Sequence, residues 1–209
     1  MKYFHRRFLI IPICLIIIGW FSPIILIPMG VFLLFFFSIN LFAIEEKGDL
    51  NRLYLTLPIR RNTIVTSRYA LALLLYIVGV LLAFALMPFA NLISSSKWYP
   101  DYKWILVLFS FSFLLHTVMS LSMYPLLFKL GYQKGKFWGL FLPAIIFSLI
   151  FISIIEYDIT RKNGTLMFDL LVYTSEHLLL VSGGMFALGT ACLTASYLLS
   201  NRLYAKREF

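Results

Sequence analysis

The carboxylates Glu45, Glu46 and Asp49 open the only long, densely charged stretch between apolar segments, which runs on through Arg52 to Tyr69. Carboxylate and guanidinium groups on one short segment can form charge-assisted hydrogen bonds with another protein. A chain that is otherwise apolar and keeps one charged, structured loop is usually bound there by a partner. The stretch therefore predicts a docking site.

The sequence carries no recognisable nucleotide-binding loop. A phosphate-binding loop needs the pattern GxxxxGK[ST], because its backbone N–H groups cradle the phosphates while its hydroxyl binds Mg²⁺. The nearest segment, Gly131 to Lys136 (GYQKGK), has the wrong glycine spacing and no Ser or Thr after its lysine. ATP hydrolysis is therefore not expected on this chain, and uphill transport would need energy from a second polypeptide.

Polar residues recur every four positions in one apolar segment, at Ser112, His116 and Ser120. They share one face of a helix, and polar groups within a membrane usually face the bundle interior or a water path. The face predicts either a substrate path or ordinary hydrogen bonds between helices. The 3 histidines are scattered and have no Cys or paired carboxylates beside them, so no metal site is expected.

Small residues recur at the same spacing in the last apolar segment, at Gly183, Ala187, Ala191 and Ala195. Such a ridge lets two helices approach closely. It predicts helix packing, either within the subunit or across a dimer.

The composition requires a lipid environment for these residues. The chain is 61% hydrophobic and only 13% charged, and its mean hydropathy is +0.91. These values predict an integral membrane protein. The net charge of +9 comes from short Lys and Arg clusters between apolar runs, as membrane topology requires, so nucleic acid is not an expected partner.

The apolar segments predict an all-α membrane domain of six transmembrane helices. The first run, Phe8 to Ile44, would be about 55 Å long as a helix, against about 30 Å of hydrocarbon core. It should therefore fold as a hairpin that breaks either at Ser22-Pro23 or at Pro28-Met29-Gly30. The predicted spans are 8–22, 24–44, 69–89, 104–128, 137–155 and 177–199, with a cytoplasmic loop at 45–68 and an outer loop at 156–176.

The distribution of positive charge tests this topology. With both termini on one side, that side receives all of the 18 Lys and Arg residues except Lys97, Lys103, Arg161 and Lys162. The positive-inside rule then places both termini and the 45–68 loop in the cytoplasm. The middle of the outer loop, Leu166 to Tyr173, is apolar, which favours an interfacial or partly re-entrant segment.

The charged loop has helical periodicity. Leu50, Leu53, Tyr54 and Leu57 form the stripe of a short amphipathic helix, whose acidic start would suit the positive end of the helix dipole. Pro58 would end it, and Asn62 would cap the next helix. This stripe alone fits a docking helix and an interfacial helix equally well.

The loop also resembles a known family. Its pattern E-x-K-G-x-L-x-x-L-x-x-x-L-P-x-x-R-x-x-I-V-x-x-R-Y is similar to that of the membrane subunits of ABC-2 type exporters. More narrowly, it resembles the small bacterial permeases that include phenol-soluble-modulin and bacteriocin exporters. The matching residues are Glu45, Lys47, Gly48, Leu50, Leu53, Leu57, Pro58, Arg61, Ile64, Val65, Arg68 and Tyr69.

The resemblance implies a mechanism and partners. Such a subunit is a half-transporter of the type V exporter kind in the bacterial plasma membrane, and it works with a second, identical or homologous permease subunit. Its loop docks on a cytoplasmic ATPase, present in two copies, which holds ATP and Mg²⁺. The cargo would be an amphipathic peptide or another hydrophobic molecule. The implied docking residues are Glu45, Glu46, Asp49, Leu50, Arg52, Leu53, Leu57, Pro58, Arg60 and Arg61.

Two other classes of membrane protein share features with this chain. Intramembrane CAAX-type proteases pair EExxxR with FxxxH, but here the next arginine, Arg52, lies too far from Glu45-Glu46. Phe113 to His116 is also one residue short, and one residue turns a helix by about 100°. A non-transporting immunity or scaffold protein would share the topology, and the sequence leaves that alternative open.

Overall fold

The structure is a computed structural model that describes residues 26–48, 56, 60–93, 102–139, 141, 145, 148–149 and 172–206. Four long helices lie within these ranges: α1 (Leu26–Lys47), α2 (Arg61–Ile93), α3 (Tyr102–Leu130) and α4 (Leu178–Ala205). A shorter helical segment covers 132–139, and one helical turn covers 172–176. The predicted span 8–22, most of the span 137–155 and residues 156–171 of the outer loop lie outside the described residues.

Each of the four helices is long and apolar enough to cross a membrane. The shortest, α1, has 22 residues, which corresponds to about 33 Å and exceeds the roughly 30 Å of hydrocarbon core. The described part of the chain contains no strand. The predicted all-α membrane class is thereby confirmed for these residues, while the six-span count stays a prediction.

The helices surround one another in the order α1, α2, α4, α3. α1 contacts α2 and α3, α4 contacts α2 and α3, and the direct contact between α2 and α3 is small. Phe35 of α1 meets His116 of α3, and Phe128 near the end of α3 meets Tyr204 near the end of α4. Phe42, further along α1, meets Phe128, so α1, α3 and α4 run in the same direction. Glu45 near the end of α1 pairs with Arg68 near the start of α2, so α2 runs against all three.

Glycines mark the closest helix crossings. A Cβ added at Gly79 of α2 would lie 3.3 Å from the Gly30 carbonyl of α1. Pro28, Met29 and Gly30 lie inside α1. The prediction that the first two spans are separated at these residues is therefore wrong, and Gly30 permits close packing of α1 against α2 instead of forming a turn. The alternative break at Ser22-Pro23 lies outside the described residues.

The buried face of α4 is lined by three serines, one glycine and one tyrosine. Gly189 lies so close to α3 that an added Cβ would be 2.8 Å from the Phe113 ring. The predicted ridge lies on a different face, where all four of its residues are exposed. Its use in packing, for example across a dimer, stays a prediction. The buried residues of α4 are Ser182, Gly189, Ser196, Ser200 and Tyr204.

Candidate functional site

The charged candidates converge at one end of the bundle, which we call the basic end. Here α1, α3 and α4 finish and α2 begins. Its exposed basic residues are Lys47, Arg60, Arg61, Lys129, Lys134, Lys136, Arg202 and Lys206. This end corresponds to the side that the charge distribution assigns to the cytoplasm.

An ion pair between Glu45 and Arg68 joins α1 to α2 at the basic end. Glu45 lies in the last turn of α1, so the expectation that it starts a separate amphipathic helix is wrong. A carboxylate in a last turn is disfavoured by the helix dipole, and the Arg68 guanidinium compensates for this. The Arg68 guanidinium also lies over the Phe42 ring of α1, 5.5 Å from its centroid. This cation–π contact is a second interaction of Arg68 with α1.

Glu46 joins α1 to the chain beyond α3. Its carboxylate accepts a hydrogen bond from the backbone N–H of Tyr132, the first residue of the segment 132–139. The first N–H groups of a helix have no partner within the helix. Glu46 therefore caps this segment from another helix, and hydrogen bonds to charged groups contribute roughly 1.5–3 kcal/mol.

The chain turns sharply between α3 and this segment. Gly131 has φ 80°, a conformation that L side chains rarely adopt, and its N–H donates to the Leu127 carbonyl at 3.0 Å. The segment then lies directly against α3: a Cβ at Gly135 would be 3.0 Å from the Leu127 Cα, and one at Gly139 would be 3.2 Å from the Met123 Cα. We call residues 131–139 the second corner, counting the loop between α1 and α2 as the first. The second corner packs tightly against the end of α3.

Arg61 joins the start of α2 to the end of α4. Its guanidinium donates to the carbonyl of Ala205 at 2.9 Å and to that of Tyr204 at 3.5 Å. The last carbonyls of a helix lack partners in their own helix, and a cation there also complements the helix dipole. Together with Glu45–Arg68, this contact fastens both ends of the charged loop to the bundle.

A family model described as ABC-2 family transporter protein matches residues 1–205. The chain belongs to the ABC-2 transporter family. The resemblance carried by the loop is thereby confirmed at the level of the family, and the chain is the multi-pass membrane subunit of an ABC transporter. Such permeases are generally not catalytic themselves and generally work with an ATPase subunit. No curated protein and no solved structure matches the sequence.

The docking residues predicted for this permease divide into three groups. Glu45, Glu46 and Arg61 make the intramolecular contacts described above. Arg60 is exposed just ahead of α2. The others lie outside the described residues: Asp49, Leu50, Arg52, Leu53, Leu57 and Pro58. Asn62, predicted as a cap, lies inside α2, which begins at Arg61.

Hydroxyl groups form an ordered chain between three helices of the permease. The Ser196 hydroxyl donates to the Ser120 carbonyl at 2.9 Å, so its own oxygen must accept from the Tyr69 hydroxyl, 2.5 Å away. Since a hydroxyl has one proton, Tyr69 in turn accepts from Ser200 at 2.8 Å. This series of hydrogen bonds satisfies four buried polar groups and links α2, α3 and α4 just inside the basic end.

The face of α3 that carries Ser112, His116 and Ser120 points into the bundle, and all three residues are buried. The Ser112 hydroxyl donates to the Phe109 carbonyl and that of Ser120 to the His116 carbonyl, each at 2.8 Å. The His116 ring lies against Phe35 and Tyr76. Neither of its nitrogens has a hydrogen-bond partner among the residues that the structure describes.

A small cavity of about 20 Å³ lies between Glu45, Glu46 and Tyr204 at the basic end. This is room for one water molecule, which needs about 10–15 Å³. Within the described ranges, the cavity included, no three His, Cys, Asp or Glu side chains come together.

The sequence prediction missed several residues that hold this site together. Tyr124 shares a 2.7 Å hydrogen bond with Ser38 and joins α3 to α1, yet neither was a candidate. The signal that could have identified them is the presence of polar residues within apolar spans.

The packing of the second corner also had a signal in the sequence. Gly131, Gly135 and Gly139 recur every four residues, and this spacing fits close packing of a helix better than phosphate binding.

Proposed function

We propose that this permease is a subunit of a bacterial exporter that moves amphipathic peptides or other hydrophobic molecules out of the cell. The energy comes from a separate cytoplasmic ATPase, which docks on the 45–61 loop and carries the ATP and Mg²⁺. Two permease subunits, identical or homologous, and two ATPase copies form the working complex. The observation that carries this proposal is the fastening of both ends of the loop to the bundle.

The fastening supports a coupling role because a force on a loosely attached loop would be absorbed by bending. Glu45–Arg68 holds the last turn of α1 against α2. Arg61 holds the start of α2 to the last carbonyl groups of α4, including that of Ala205 at 2.9 Å. A displacement of the loop would therefore move α1, α2 and α4 together. This is what a docking ATPase needs in order to displace the cytoplasmic ends of these helices.

The charges at the basic end support a cytoplasmic partner. Arg60 is exposed in the 45–61 loop, and Lys134 and Lys136 are exposed on the second corner. Basic residues collect on the cytoplasmic side of membrane proteins, which is where ATP is available.

The directions of the helices support the six-span topology. α3 and α4 run in the same direction, as the pairing of Phe128 with Tyr204 near their ends indicates. A chain that leaves α3 at the basic end must return to the opposite end before α4 can begin there. The predicted span 137–155 provides that crossing. With the predicted span 8–22, both termini lie in the cytoplasm of a bacterial cell, and the complex lies in its plasma membrane.

The cargo route is proposed from the buried polar face of α3. Ser112, His116 and Ser120 face the bundle interior, where opening of the helices would expose them to a passing molecule. The exposed ridge of α4 (Gly183, Ala187, Ala191 and Ala195) is our candidate contact with the second permease subunit, because small side chains permit close helix packing.

The docking claim is tested by a charge placed on the apolar stripe of the loop. Leu53→Asp should abolish stimulation of the ATPase by the permease, since an aspartate would have to be desolvated in the docking cleft. Asn51→Asp adds the same charge off the stripe and is the matched control. Membrane insertion and ATP hydrolysis are measured for both variants in lipid nanodiscs. Full stimulation with Leu53→Asp would refute docking on this loop.

A further inference from the structure

We propose that the second corner, residues 131–139, is a second coupling element that Glu46 holds to the end of α1. A displacement of the loop between α1 and α2 then reaches α3 directly, in addition to α1, α2 and α4. This inference rests on the proposed function and deepens it. It gives Glu46 the role of a positioning residue rather than that of a contact with the ATPase.

The position of Glu46 supports this role. It lies in the last turn of α1, where the helix dipole disfavours a carboxylate. Its carboxylate reaches across to the Tyr132 N–H, where the dipole of the segment 132–139 favours a negative charge. The electrostatic interaction is favourable only while the two elements stay together, so the contact links them rather than stabilising α1 alone.

The rigidity of the second corner completes the link. Gly131 makes the turn at φ 80°, and its carbonyl accepts from the Gly135 N–H at 2.9 Å. Gly135 and Gly139 bring the segment within van der Waals contact of Leu127 and Met123 of α3. Because no long side chain separates the two backbones, a pull on Tyr132 moves the end of α3 instead of bending the corner.

The contact can be removed from either side. Glu46→Leu removes the acceptor, while Glu46→Gln keeps an amide oxygen that can accept the same bond. Tyr132→Pro removes the donor, since proline has no N–H and is tolerated at the first position of a helix. Tyr132→Ala controls for the loss of the ring. Glu176→Leu is the matched control, because Glu176 is exposed near the opposite end of the bundle.

The measurement is ATP hydrolysis by the complex of permease and ATPase in nanodiscs, together with the amount of ATPase that co-purifies. Glu46→Leu and Tyr132→Pro should each lower permease-dependent hydrolysis roughly 5- to 10-fold, a typical size for a coupling effect. Their combination should lower it no further, since both delete one bond. Co-purification should stay unchanged, and Glu46→Gln, Tyr132→Ala and Glu176→Leu should retain most of the activity.

A cross-link provides an independent test if a variant fails to fold. With Cys14 and Cys192 replaced by Ser, Glu46→Cys and Tyr132→Cys can be joined by a short bifunctional thiol reagent. Before cross-linking, this variant lacks the Glu46 acceptor and should be as impaired as Glu46→Leu. The inference expects the cross-link to restore stimulation of ATP hydrolysis, because it replaces the lost bond between two elements that move as one. A cross-linked permease that stays impaired, or full activity of Glu46→Leu, would overturn it. A parent protein that binds no ATPase would instead overturn the proposed function, and this inference with it.

Discussion

Arg68 of α2 pairs with Glu45 of α1 at the point where the charged loop leaves the bundle. The side chains are largely buried, at 16% and 10% exposure. Arg68 also lies over the Phe42 ring. The pair thus closes the base of the α1–α2 hairpin and fixes the two ends between which the loop is held.

Removing one member of this pair should destabilise the permease. Arg68→Met takes the guanidinium away from the largely buried Glu45 carboxylate, and removing one partner of a buried ion pair typically costs about 3–5 kcal/mol. Glu45→Leu combined with Arg68→Met removes both charges and should recover most of that loss. Thermal unfolding of the detergent-purified subunit measures both. A double variant as unstable as Arg68→Met would contradict the pairing.

Tyr69→Phe should weaken the contact of α2 with α4. It removes the hydroxyl that bonds Ser196 at 2.5 Å and Ser200 at 2.8 Å. Hydrogen bonds between membrane helices average about 0.6 kcal/mol each, so a loss of about 1–2 kcal/mol is expected, and thermal unfolding would detect it. Tyr197→Phe, which removes an exposed 3.0 Å bond to Thr66, is the control and should cost less. Equal losses would argue against the ordered hydroxyl chain.

Two glycines of α4 should respond oppositely to the same substitution. Gly189→Ala places a Cβ 2.8 Å from the Phe113 ring. Overpacking costs about 1–3 kcal/mol, which exceeds the roughly 1 kcal/mol gained in helix propensity. No described atom lies within 4 Å of a Cβ added at Gly183, so in the isolated subunit Gly183→Ala leaves only the gain in propensity. The unfolding midpoint should fall for the first and hold or rise for the second; the reverse order would place the buried face of α4 elsewhere.

His116→Phe should stabilise the permease while impairing its activity. The imidazole is 1% exposed, and its nitrogens have no partner within the described part of the chain. An unsatisfied buried polar group costs about 1–3 kcal/mol. A phenyl ring of similar size removes that cost, so the unfolding midpoint should rise. If the α3 face lines the cargo route, ATP hydrolysis by the complex should fall. A lower midpoint would mean that the imidazole has a partner in the native membrane.

The class of this protein is readable from sequence because hydropathy is a local property. α2 and α3 coincide with long apolar runs around Leu81 and Phe111, and any such run must avoid water whatever its neighbours. The family was readable for a similar reason, since the loop pattern around Pro58 lies in one continuous segment.

The contacts at the basic end were not readable, because they join residues distant in the chain. Glu45 and Glu46 were predicted to start a helix, since acidic residues favour that position. The structure puts them at the end of α1, where Arg68 and the Tyr132 N–H compensate for the unfavourable dipole. The periodicity of the loop contains no information about either partner.

The two faces of α4 show the same limit. Small residues recur every four positions from Gly183 to Ala195, and the pattern alone marks them as a packing surface. The structure buries a different face of α4, which includes Gly189 and Ser196. Phe113 of α3 packs against Gly189, and Tyr69 of α2 bonds Ser196. The neighbouring helices, rather than the sequence of α4 itself, decide which of its two faces of small residues packs inside the bundle.

The central claim, that an ATPase docks on the loop between α1 and α2, is tested most directly by what the tagged permease carries with it. The permease is purified from its native membrane in mild detergent, with and without cross-linking, and co-purifying proteins are identified and quantified. The account predicts an ATPase with a phosphate-binding loop in equal amount, lost in Leu53→Asp and kept in Asn51→Asp. Recovery of the permease alone, even after cross-linking, would contradict the account and favour a non-transporting immunity or scaffold protein.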